Sequence, residues 1–387
     1  MSERRSTGGD PRRLVAKARR RSAQVAFRTA LGPISGAVLR RYVFSIAEHV
    51  GSHPVKGHID DMRVLRSAYI ERYPFDSSLP PQFRRVKAFD DRYVYHLRDV
   101  CVSPRTGLCW LPKGPILGES IGSFIRLLGW DDDALEEPLL RPRQRISGSV
   151  IVLPTHGYYH WLLECLPPAL HALAAVPDAT VVVPSDPPQY VREAIDLLGM
   201  QRVRYADEPV FAEKLVLVAH EPFSGFVPGE DIEILRATLQ PRSSNARAAS
   251  SGIYVSRRLS RRSLRNEPEL ERALQELGMS IVYPQRLPFP DQIATMRHAE
   301  IVVAPHGAGL ANLVFAPRLR STLELFMGNL FNDCYARLTV SCGGAYLPIS
   351  CPGATGAAVS DAVAPVSDIV ALLNRQFLHR SAADTQV

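Results

Sequence analysis

The chain has 387 residues, 46% hydrophobic and 22% charged, with a formal net charge of +7. That is enough for two domains with full cores, and the balance is ordinary for a soluble globular protein. The charge is uneven: residues 1–41 hold ten Arg and Lys17 against Glu3 and Asp10, or +9, so the rest sums to 7 − 9 = −2. This excludes a basic nucleic-acid groove in the body and points to a basic N-terminal arm, residues 1–59.

No run of 18 apolar residues occurs and the N-terminus lacks an apolar h-region. Neither a membrane span nor a signal peptide is expected, and a cytoplasmic location is. The six cysteines show no CxxC and no Cys/His ligand spacing, so they read as reduced, buried thiols. From Leu14 to Leu39 an Arg-rich amphipathic helix can be drawn, giving either peripheral contact with an anionic membrane face or a solvated tail.

Residues 60–240 form the expected first α/β domain. Its start is β-rich, with short strands at 93–95, 100–102 and 108–110 and a turn at 103–107. Asp131-Asp132-Asp133 reads as a capped helix start rather than a metal–nucleotide site. A buried strand at 149–153 leads into a helix over 156–166, in which His160 and Glu164 share a face. A strand at 180–183, a helix at 187–198 and a strand at 215–219 complete a βαβαβ pattern and predict a parallel sheet. Residues 222–229 read as a mobile loop and 231–239 as a helix. The small, polar stretch 241–251 is the expected linker.

Residues 252–360 form the expected second domain, followed by a last helix and tail at 361–387. A strand at 253–255 ends at Ser256-Arg257-Arg258. A helix runs from its N-cap Asn266 to 277, stopped by Gly278. A strand at 281–283 and a helix at 290–298 follow. Then come a buried strand at 301–304, the turn Pro305-His306-Gly307-Ala308-Gly309, a helix at 310–315 and a strand at 322–326.

A glycine turn between a buried strand and a helix N-terminus is a place to hold an anion. Gly307 and Gly309 let a ligand approach the backbone. His306 can donate to a phosphate oxygen, and Glu324 can accept from sugar hydroxyls. Arg257 and Arg265 add charge suited to phosphate. Strand ends of both domains would face one cleft, bringing His160 and Glu164 opposite His306. Each of these has a plain alternative: an ordinary turn, surface arginines, and a structural His–Glu pair.

Three blocks resemble glycosyltransferase family 61: G-Y-Y-H-W-L-L-E at 157–164, S-R-R-x6-R-N-E-x-E-L at 256–270, and A-E-I-V-V-A-P-H-G-A-G-L-A-N-L-V-F at 299–315. The resemblance covers roughly residues 85–360 and not 1–60. It implies a GT-B fold, two Rossmann-like domains about a cleft with the donor in the second. It also implies inversion at the anomeric carbon and no metal or other cofactor. Carried over by position, the donor pocket comprises Arg257, Arg265, Asn266, His306, Gly307, Ala308, Gly309, Asn312 and Glu324. Glu164 and His160 are the expected candidates for the catalytic base, and the resemblance does not choose between them.

The resulting expectation is a transferase with a nucleotide-sugar donor, UDP-linked, and a glycan or lipid-linked glycan acceptor. The alternative is a non-catalytic sugar-nucleotide-binding subunit of a polysaccharide assembly complex. Nucleic acid is not an expected partner.

Overall fold

The computed structural model describes residues 43–383 except 50–54, 56, 76–78, 80–82, 84, 113, 123–141, 143, 222, 242–249, 261, 328–331 and 354–360. Residues 1–41, the Asp131-Asp132-Asp133 cluster and most of the expected linker lie outside the described residues.

The fold is α/β and holds two large sheets. The first has nine strands. On one side Val210–Val218, Gln144–Val152, Thr180–Val183 and Val203–Tyr205 run parallel, as the βαβαβ pattern requires. On the other side, among the short strands expected at the β-rich start, the pairing turns antiparallel. Arg92–Val102 pairs antiparallel with both Val210–Val218 and Ile59–Arg66, and Cys109–Trp110 continues the meander. Of these pairs, only Arg92–Val102 and Cys109–Trp110 are joined by a short turn; the pairing with Val210–Val218 brings together segments more than a hundred residues apart. Arg92–Val102 is also one strand where two short ones were expected, because the polar Arg98 sits opposite Lys214 and stays in the ladder. Cross-strand pairing overrides local propensity at that point.

The second sheet is wholly parallel, in the order Ser280–Val282, Gly252–Val255, Ile301–Pro305, Ser321–Met327, Ala345–Cys351. In chain order this is 2-1-3-4-5. Such a sheet reverses direction between its first and third strands, and its ligand crevice lies at the carboxyl ends there. Those ends are Val255, followed by Ser256-Arg257, and Pro305, followed by His306-Gly307. Ser321–Met327 is buried along its whole length, as a central parallel strand should be. Val203–Tyr205, Ala345–Cys351 and the helix Cys334–Ser341 were not anticipated from the sequence pattern.

One contiguous apolar cluster joins the two sheets. It runs from Ile151, Trp161 and Leu170 to Phe289, Leu310 and Phe315. A separate aromatic cluster (Tyr73, Phe75, Phe83, Phe89, Phe226 and Phe326) ties the hairpin Tyr69–Arg72 / Val86–Phe89 to the end of the second sheet. No helix among the described residues is long and apolar enough to cross a membrane.

Candidate active site at the switch point

Arg257 leaves the first strand of the second sheet and crosses to the third. Its Nη1 donates to the backbone carbonyl of His306, and its Nε lies 3.3 Å from Ser260 Oγ. The buried carboxylate of Glu267 sets this up from below. It accepts from the Arg257 amide at 2.7 Å and from Tyr254 Oη at 3.0 Å. Burial, and then repulsion from Arg262, lower the Arg257 guanidinium from its ordinary value. It gains no carboxylate partner for its side chain among the described residues, which suits a group meant to meet an anion.

Gly307 is needed for close approach. A Cβ there would run into Arg257 Nη1. The segment Ala308–Phe315 then forms a 3₁₀ helix, two residues longer than the helix expected at 310–315. Asn312 is held at both ends of its side chain. Its Oδ1 accepts from Tyr158 Oη at 2.5 Å and its Nδ2 donates to Gln292 Oε1 at 3.0 Å, which pins the segment between two other helices. Asn312 is thus a buried clamp and does not line the pocket.

His306 and Glu324 meet, but the acid is closed off. His306 Nδ1 lies 2.5 Å from Glu324 Oε1, and Tyr346 Oη donates to Oε2 at 2.5 Å. Glu324 is 0% exposed while the His306 side chain is 21% exposed. Burial pushes the Glu324 carboxyl above its usual range, and His306 and Tyr346 oppose that push without cancelling it. Glu324 therefore braces His306 and cannot reach a sugar hydroxyl, as had been expected of it. The imidazole also stacks on Phe326, with centroids 5.5 Å apart.

A second His–Glu pair stands across from it. After Tyr158–His160 the helix opens into a π-turn, Trp161–Cys165, before resuming as Leu166–Ala175. Pro167-Pro168 supplies the cause: neither has an N–H to close α-helical bonds onto Leu163 and Glu164. The Glu164 carbonyl is taken instead by His220, whose Nδ1 lies 3.2 Å away. The same turn aims the Glu164 side chain at His160, Oε2 to Nδ1 at 2.7 Å. Oε1 accepts from Ser224 Oγ at 2.6 Å and from the Gly225 amide at 3.3 Å. The side chains are 6% exposed at Glu164 and 26% at His160. With the carboxylate on Nδ1, a neutral His160 ring carries its lone pair on Nε2.

The loop expected to be mobile is therefore anchored: Gly225 to Pro228 are buried. Its role was missed because Ser224 lies sixty residues from Glu164. Tyr335, also missed, packs against both Tyr159 and His306, at 5.6 and 5.3 Å between centroids.

A cavity of about 270 Å³ lies at the switch point, lined by Tyr158, Tyr190, Val255, Arg257, Pro284 and Gly307 to Leu310, among others. Of the residues carried over as donor-binding, Arg257, Gly307, Ala308 and Gly309 line it. Arg265 is exposed away from it, offering its amide to Ala362. Asn266 forms no side-chain cap; its side chain clamps the backbone of Ala364, at 2.8 and 3.0 Å. Among the described residues no three His, Cys, Asp or Glu side chains converge as a metal site.

Comparison with known proteins fits this geometry. The family model for glycosyltransferase 61 matches residues 158–322, which carry both His–Glu pairs except Glu324. A 76-residue stretch is 38% identical to the EGF domain-specific O-linked N-acetylglucosamine transferase of Drosophila melanogaster. That stretch is 19% of this chain and 15% of that protein. Residues 158–322, less than half of the chain, are thus the part that is similar to the glycosyltransferase 61 family.

Proposed function

We propose that this protein is an inverting glycosyltransferase of GT-B arrangement that moves a sugar from a nucleotide-sugar to a hydroxyl of a glycan, without a metal. The observation that carries the reading is the cavity at the switch point, lined by Arg257, the Gly307–Gly309 turn and Tyr158, which precedes His160 by two residues. The diphosphate sits against Arg257 and the amides of Ala308 and Gly309, which have no carbonyl of their own turn to bond. His306, braced by Glu324, stands beside Arg257.

His160 is the base, with Glu164 orienting it. The acceptor O–H gives its proton to His160 Nε2 as its oxygen bonds the anomeric carbon. The bond from that carbon to the phosphate oxygen breaks, and the electron pair leaves with the nucleoside diphosphate. Arg257 and the turn meet the charge that develops there. The relative's name makes N-acetylglucosamine the first sugar to try.

The test is a thermal-shift and turnover panel of UDP-sugars, each with EDTA and with Mg²⁺. A donor at 100-fold its dissociation constant adds about 2.7 kcal/mol of stability. Stabilisation and sugar transfer in EDTA, both lost in Arg257→Ala, are the expected results. Binding without turnover would leave only a sugar-nucleotide-binding subunit, and activity confined to Mg²⁺ would overturn metal independence.

A further inference from the structure

We infer that Ser224 is a positioning residue for His160, acting through Glu164; this rests on the reading of His160 as the base. A carboxylate that orients an imidazole must itself be held, or it rotates and the ring loses its tautomer. On the side away from His160, Glu164 Oε1 accepts from Ser224 Oγ at 2.6 Å and from Gly225 N at 3.3 Å. The hydroxyl is the shorter of the two and the one that can re-aim.

The second half of the molecule fixes that hydroxyl in place. Gly225 has φ +86, and a Cβ there would lie 2.6 Å from Arg337 Nη2 and 3.1 Å from Cys334 Cβ. Arg337 Nε donates to the Gly225 carbonyl at 2.9 Å, and its guanidinium lies 3.9 Å over the Phe226 ring. Arg337 is itself paired with Asp333. The helix Cys334–Ser341 thus grips the loop and presents Ser224 to Glu164. The same helix carries Tyr335 against His306, so both His–Glu pairs are set from one element.

The experiment reads His160 directly and needs no ligand. In ¹⁵N spectra of the imidazoles, with His160 assigned from His160→Gln, the neutral wild-type ring is expected mainly as the Nδ1–H tautomer. Ser224→Ala should raise the Nε2–H fraction severalfold, and Ser224→Thr, which keeps the hydroxyl, should restore it. Ser224→Cys, a weak donor of similar size, gives the same readout if the alanine variant does not fold. With UDP-N-acetylglucosamine as probe, Ser224→Ala should lower kcat about tenfold, the worth of one hydrogen bond to a charged group, and leave donor KM unchanged.

An unchanged tautomer balance in both Ser224→Ala and Ser224→Cys overturns the inference. A shifted balance in a protein whose wild type turns over no UDP-sugar keeps Ser224 as a positioning residue and removes the functional reading instead.

Discussion

Arg257 and His306 lie 49 residues apart, and the guanidinium of one is bonded to the backbone carbonyl of the other. That bond closes the switch point of the second sheet and leaves the rest of the fork to the cavity. Arg257→Ala and His306→Ala should each lower kcat/KM by about 10²–10³, as loss of a preorganised donor to developing charge does. Gly307→Ala should act in the same direction, since its methyl displaces the guanidinium. Its fold should survive, because the neighbour is the end of a flexible side chain. Steady-state kinetics with thermal melts would check both statements.

Both partners of the His160–Glu164 pair are expected to matter through turnover. His160→Ala should cost about 10²–10⁴ in kcat, the range for a general base. Glu164→Gln should cost less, because an amide can still accept from Nδ1. Donor binding, measured by calorimetry, should stay within a fewfold in each. Near-native turnover in both variants would remove the base assignment.

Pro167 and Pro168 make a prediction of the opposite kind. Replacing both with Ala restores two amide donors and favours continuous α-helix, so local stability should hold or rise. The π-turn would close, Glu164 would rotate off His160, and the Glu164 carbonyl would leave His220. Turnover should fall at least tenfold with no fall in Tm. A drop in both would mean that the turn is needed for folding.

His220 makes stability depend on pH. Burial, and then the charge of Arg92, lower it to about 4 from 6.5. Between those values the unfolded chain takes up a proton that the folded one does not. Stability is therefore complete above about 6.5 and is lost as pH falls toward 4, by at most about 3 kcal/mol. His220→Gln should flatten Tm against pH across that window. Glu324 adds a slope of the other sign. Its folded carboxyl ionises later than the unfolded one, so it favours the fold at low pH and loses that contribution as pH rises. Glu324→Gln should steepen the acid loss that His220 causes.

The parallel second sheet was legible because it repeats a local unit, a β-branched run followed by a turn and an amphipathic helix. Arg257 and Gly307 to Gly309 were legible for the same reason: a strand end announces itself within ten residues. Burial was not legible. Glu324 reads as a strand-end acid and is sealed by Tyr346 from a strand that the pattern did not show. Asn312, carried over to the donor pocket by the resemblance, is spent on Tyr158 and Gln292. The antiparallel half of the first sheet rests on pairings across more than a hundred residues, as between Val210 and Val102. A double proline inside a helical pattern was the one local signal left unused.

The grip of Arg337 on Gly225 has a bearing on how the gene product can be cut. A fragment ending near residue 240 would keep His160 and Glu164 but lose Arg337, Tyr335 and the Phe289 ring that packs 5.5 Å from Trp161. It would hold the His160–Glu164 pair in composition and not in geometry. Adding the missing half as a separate chain should restore activity only as the two pieces reassemble, so the rate of complementation would report the docking of the halves.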